Sequence, residues 1–176
     1  MGTEIAQHVR QPGTLMIMKE PSPTTKTAIY SSVWWGFVQI FADKRVCDLV
    51  QEHDLKGFEF QKVLRKNGEY SDSFFQLRTP NIIGRECIPP QKNERIIYCP
   101  VCGKAQYRVG PAYWPHVDYS KIDLSYDLYE TEDMFCDTDR TIPLHIISQR
   151  FYQLLKKNKL GGSLCVVPVA DSSQQE

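Results

Sequence analysis

A chain of 176 residues with 41% apolar and 24% charged side chains can bury one good core or two small ones, which places it among ordinary globular proteins. Lysine plus arginine and aspartate plus glutamate each number 21, so no net field recruits nucleic acid or an anionic membrane, and a charged partner must read a local patch. No apolar run approaches the roughly 20 residues a membrane helix needs, and Met1-Gly2-Thr3-Glu4 lacks a signal pattern, so six cysteines point to thiols or metal ligands in a cytoplasmic protein without a membrane partner.

Residues 1–28 read as a loosely packed arm: one short apolar run, Leu15 to Met18, precedes a Pro- and Thr-rich stretch that disfavours helix. The aromatic and β-branched run from Val33 to Phe41 predicts a buried strand. Asp43 is a natural N-cap, and Val46, Leu49, Val50 and His53 then mark one face of a 3.6-residue period. Leu55-Lys56-Gly57 makes the exit turn, and Phe58 to Val63 alternates as a strand with Phe58 and Phe60 on one face.

The same order recurs 105 positions later. Leu144 to Ile147 is a strand, Ser148 takes the place of Asp43 and Arg150 that of Arg45, and Phe151, Leu154, Leu155 and Asn158 repeat the helix face. Leu160 and Gly162 match Leu55 and Gly57, with Ser163 to Val169 as the closing strand. The expected fold is α+β: two related strand-helix-strand units, residues 29–80 and 141–170, with a mixed or antiparallel sheet. They bracket a cysteine region at 81–140, and a disordered tail covers 171–176.

The cysteine region carries Cys99-Pro100-Val101-Cys102-Gly103-Lys104, half of a zinc ribbon, because the short Cys-x-x-Cys turn aims both sulfurs inward and Gly103 lets the backbone fold beneath the metal. Cys87 offers a third sulfur twelve residues upstream; His116 is the preferred fourth ligand and Cys136 the next. A closed four-ligand zinc is structural, and the alternative is three buried thiols. Farther on, residues 117–139 hold eight carboxylates against Lys121, with Tyr119, Tyr126 and Tyr129 interleaved, a composition suited to a basic protein surface or to a solvated loop.

Taken together, the helix ending in Leu-x-Gly, the single Cys87, Cys99 to Gly103, Val117-Asp118, Asp133-Met134-Phe135 and Ser148-Gln149-Arg150-Phe151 resemble the C-terminal part of the double-CxxCG motif family, over residues 33–169. Only one CxxCG is present here. That family includes bacterial immunity proteins, so the resemblance implies a non-enzymatic protein that binds and neutralises a cognate protein toxin. A toxin acting on nucleic acid carries a basic site, and an acidic, tyrosine-bearing segment can mimic its substrate; Tyr126, Asp127, Tyr129, Glu130, Glu132 and Asp133 are the expected interface. The competing class is a nucleic-acid-binding zinc ribbon, in which Lys92, Arg95, Lys104 and Arg108 meet phosphates while Tyr98, Tyr107, Tyr113 and Trp114 stack on bases. Zero net charge and the acidic neighbour disfavour it. His145, in an apolar strand, reads as a core histidine, and phosphate-loop, His-Glu-x-x-His and Gly-x-Ser-x-Gly signatures are missing.

Overall fold

The structure, a computed structural model, describes residues 16–17, 20, 26–34, 37–89, 95–98, 105–108, 116–137, 140–162, 164 and 166–174. In chain order the strands are β1 (Met16–Ile17), β2 (Ile29–Trp34), β3 (Phe37–Asp43), β4 (Glu59–Arg65), β5 (Tyr70–Arg78), β6 (Ile82–Ile83), β7 (Arg95–Tyr98), β8 (Ala105–Arg108), β9 (His116–Val117), β10 (Leu128–Thr131), β11 (Met134–Asp137), β12 (Arg140–Ile142), β13 (His145–Ile147) and β14 (Ala170–Asp171). Helix α1 (Lys44–Glu52) follows β3, and α2 (Gln149–Lys157) follows β13. The fold is α+β. One sheet runs β1-β4-β5-β3-β2, antiparallel except for β1 on β4; the others run β13-β10-β6, β12-β11-β8-β7 and β14-β9.

The two helices are built by the same local rules. Each has nine residues and an N-cap side chain, Asp43 accepting from the N–H of Arg45 and Ser148 from that of Phe151. Each ends through one hydrogen-bond scheme: His53 N–H to Leu49 O and Leu55 N–H to Val50 O in the first, Asn158 to Leu154 and Leu160 to Leu155 in the second. Between those bonds Asp54 and Lys159 take left-handed φ values of 47° and 58°, which turns the chain out of the helix. The predicted inward faces are buried at Val46, Leu49, Val50, Phe151 and Leu155, with Leu154 half-buried against them; His53 is half-buried, and Asn158, expected on the same face, is exposed at the helix end. Leu55 and Leu160 close the same core.

That core is shared. Ala28, Ile29 and Leu128 join residues of both helices in one cluster, and Phe58 sets its ring edge-on to Phe151 at 4.8 Å. The entry to each antiparallel strand pair, β2–β3 and β10–β13, holds the exit turn of the other unit's helix: Ala28 N–H donates to Leu160 O, and Asp127 N–H donates to Lys56 O. In both, the same residue's carbonyl receives the N-cap amide, Asp43 N–H to Ala28 O and Ser148 N–H to Asp127 O.

Three expectations are corrected. Of the closing strand expected at 163–169, the described residues 164 and 166–169 are outside any strand: no described strand stands beside them as β5 stands beside β4, and Pro168 lacks an N–H. Ser163 and Cys165 lie outside the described residues. The acidic region is not a loop, since β10 and β11 run through it and β10 pairs with β13 on one side and β6 on the other. The tail is tied down over its first half: Ala170 and Asp171 pair with His116 and Val117, and Asp171 accepts from Ser173. In the N-terminal arm, Met16 and Ile17 add a strand beside β4, and the Glu20 carboxylate bonds Ser71 and Arg65, which hold its pKa below the usual range.

Candidate functional site

The expected zinc ligands are dispersed between described and undescribed segments. The strands that flank the Cys-x-x-Cys form a hairpin, Tyr98 opposite Ala105 and Arg95 opposite Arg108, while Cys99 and Cys102 lie outside the described residues. Cys87 is buried with Ile83, Ile88 and Tyr107, its thiol donating to Lys121 O at 3.7 Å. Burial, then the charge of Glu86, pushes that thiol up, which favours S–H over thiolate. His116 is half-buried on β9, and Asp118, two residues on, donates its N–H to Cys87 O. Among the described residues no three metal-ligating side chains gather.

The acidic segment is occupied mostly by its own fold. Asp118 accepts from Ser120 and pairs with Lys121 at 2.9 Å, contacts that hold its pKa low, and Asp123 caps Ser125. Asp127, one of the expected interface residues, is only 5% exposed, accepts from the Lys56 N–H at 2.9 Å and from the Ser148 hydroxyl at 2.6 Å, and so fastens both units together. Tyr129 is likewise buried, its hydroxyl donating to carbonyls of the Asp123–Tyr126 turn, and burial raises its pKa. Glu130 is half-buried with its Oε2 3.2 Å from His145 Nε2. Asp133 and Tyr126 are half-buried, and Glu132 is exposed. Of the six residues expected at the interface, Asp127 and Tyr129 are therefore buried, and β10, which carries Tyr129 and Glu130, has a strand partner on each edge, which a tally of charges does not reveal.

Tyr107 is also buried, under the guanidinium of Arg85 at 3.8 Å, and cannot stack on a base. Its hairpin partner strand does the opposite. β7 is an edge strand among the described residues, and Ile96, Ile97 and Tyr98 are exposed in a row at 47%, 43% and 66%.

A second feature is a groove that no motif of the sequence marks. A cavity of about 550 Å3 opens between β13, α2 and residues 164 and 166–169, lined by apolar side chains such as Leu128, Ile147 and Val167 with His145 and Tyr152 among them. A smaller one of about 380 Å3 adjoins it at Tyr152 and Leu164 and is bordered by Lys26, Lys156 and Lys159. No known protein family, curated protein or solved structure matches this chain. No described helix is long and apolar enough to cross a membrane.

Proposed function

We propose that this protein is a non-enzymatic, cytoplasmic immunity protein that binds and neutralises a cognate protein toxin. The motif order that resembles the double-CxxCG family supports the reading, and one observation carries it: β7, an edge strand among the described residues and adjacent in sequence to the Cys-x-x-Cys, exposes Ile96, Ile97 and Tyr98 together. An apolar edge strand is a liability unless a partner covers it, and a large aromatic beside two branched aliphatic residues is the usual centre of a protein contact. Glu132 is exposed, as is Leu124 eight residues before it, and adds acidic character to that stretch. In this reading a zinc on Cys99 and Cys102, completed by Cys87 and His116, would be a structural clamp on the β7–β8 hairpin.

The test is titration of the purified protein with the toxin encoded beside its gene. Ile97→Asp with Tyr98→Asp is expected to weaken binding by at least about tenfold and to abolish protection of toxin-expressing cells, with the fold intact by circular dichroism. Parent-like binding by that variant places the contact elsewhere. Metal analysis of protein purified without chelator tests the clamp: about one equivalent of zinc is expected, and less than about a tenth of an equivalent in folded, chelator-stable protein rejects it.

A further inference from the structure

The two units differ in how their sheets are completed. In the first, β5 lies between β3 and β4, the strand that comes after α1. In the second, β13 is an edge strand among the described residues, and the segment after α2 lies across the 550 Å3 cavity from it. Counting from the N-caps, Ile147 stands where Ala42 does, Leu164 where Glu59 does and Val166 where Gln61 does. The cavity therefore occupies the place of a missing counterpart to β5.

The backbone is poised for one. Ser148 N–H bonds Asp127 O and Thr131 N–H bonds Leu144 O, so the alternation of an antiparallel ladder turns the N–H and C=O of His145 and Ile147 toward the open edge. Ala42, the counterpart of Ile147, faces Phe75 of β5 in this way. The charge beside the groove then fixes a direction. Lys26, Lys156 and Lys159 border the adjoining 380 Å3 cavity, which shares Tyr152 and Leu164 with the groove; all three are exposed and form no ion pair among the described residues. β5 ends at Arg78 opposite Glu59, and the counterpart of Glu59 is Leu164, which lines both cavities.

We propose that this groove binds an extended peptide as an inserted strand, antiparallel to β13, with apolar residues at alternate positions and an acidic C-terminal end at Lys26, Lys156 and Lys159. Main-chain bonds to His145 and Ile147 give affinity, the apolar floor selects side chains, and the lysines set polarity. The inference stands on the groove alone and does not depend on the toxin reading.

The probe is a labelled synthetic peptide, Ser-Phe-Phe-Gln-Leu-Glu-Glu with a free carboxylate, which borrows the residues of β5; its twin ends in Lys-Lys-amide. Saturable binding of the acidic peptide is expected by fluorescence anisotropy, at least about tenfold tighter than the basic twin, and Lys156→Glu with Lys159→Glu should erase that preference. Amide hydrogen exchange followed by NMR is the decisive measurement: His145 and Ile147 should exchange rapidly alone and become protected with peptide, in parent protein that needs no substitution. Absence of saturable binding, binding that leaves those two amides unprotected, or equal affinity for the two peptides overturns the proposal.

Discussion

The first and second strand–helix units obey one local grammar and reach different ends. A side-chain N-cap, the left-handed exit residue and the closing leucine recur at matching positions, because each is decided within a dozen residues. Beyond the exit turn the two chains part. Glu59 to Arg65 finds β5 beside it and becomes a strand, whereas residues 164 and 166–169 meet no such neighbour among the described residues and stay irregular. A helix satisfies its own backbone, but a strand needs a partner, so repeated sequence guarantees the first and not the second.

The strongest way to break the comparison is to ask whether the units stand alone. Phe151 and Val46 are almost fully buried in a single cluster. Phe151→Ala is expected to cost about 3–5 kcal/mol and Val46→Ala about 2–3 kcal/mol. Both should lower one cooperative denaturant transition seen by fluorescence and circular dichroism alike. Two transitions, one per variant, would mean two independent cores.

Next in size is the tie between the units. Asp127→Ala leaves the Lys56 N–H and the Ser148 hydroxyl without their acceptor and is expected to cost about 3 kcal/mol, while Asp43→Ala, which removes a helix cap, should cost about 1–2 kcal/mol. Urea midpoints of the two variants check the order. Equal losses would reduce Asp127 to a second cap.

These contrasts also mark how far the residues alone could be read. The helices, their caps and Leu55 and Leu160 were legible because period and capping chemistry are local. The roles of Asp127, Tyr129 and Glu130 were not, since a carboxylate or phenol in a run of eight acids looks solvated until a strand partner fifteen or more residues away covers it. The groove beside β13 was invisible for a related reason: it is defined by the lack, among the described residues, of a second strand beside β13. Only His145, a titratable residue in an otherwise apolar strand, gave a hint of it.

The exit-turn glycines sharpen the comparison at smaller cost. Gly57 has φ +90°, and a Cβ there would lie 2.4 Å from Asn81 Nδ2 and 2.8 Å from Leu128 O, so Gly57→Ala is expected to cost about 2 kcal/mol. At Gly162 the φ is ordinary but a Cβ would sit 2.4 Å from Lys26 O, the acceptor of its own N–H, and Gly162→Ala should cost about 1–2 kcal/mol. Gly161 meets nothing closer than Leu155 Cβ at 3.6 Å, and Gly161→Ala should be neutral or stabilise by up to ~0.5 kcal/mol. Thermal midpoints of the three variants give the ranking; a destabilised Gly161→Ala would contradict the open packing on that side of the turn.

The smallest effect, silent in stability at neutral pH, compares Cys47 with its counterpart Tyr152. Both occupy the fourth position of their helices, yet Cys47 is buried and Tyr152 lines the groove. Burial, reinforced by the charge of Asp48, pushes the Cys47 thiol up to about 12 from 9.0. The folded state thus keeps a proton that the unfolded chain releases, so its contribution is fully present below pH 9 and is lost as pH rises from 9 toward 12. Alkylation by iodoacetamide at pH 8.5, mapped by mass spectrometry, should leave Cys47 unmodified in folded protein and label it once urea is added, because the thiolate is the attacking species. In a Tyr152→Cys variant the new thiol, which borders an open cavity where Cys47 is enclosed, should label within minutes, and the acidic peptide should slow that labelling. If the introduced thiol were as protected as Cys47 without peptide, the second unit would be closed on that side after all, and the two sheets would be complete in different ways rather than one complete and one open.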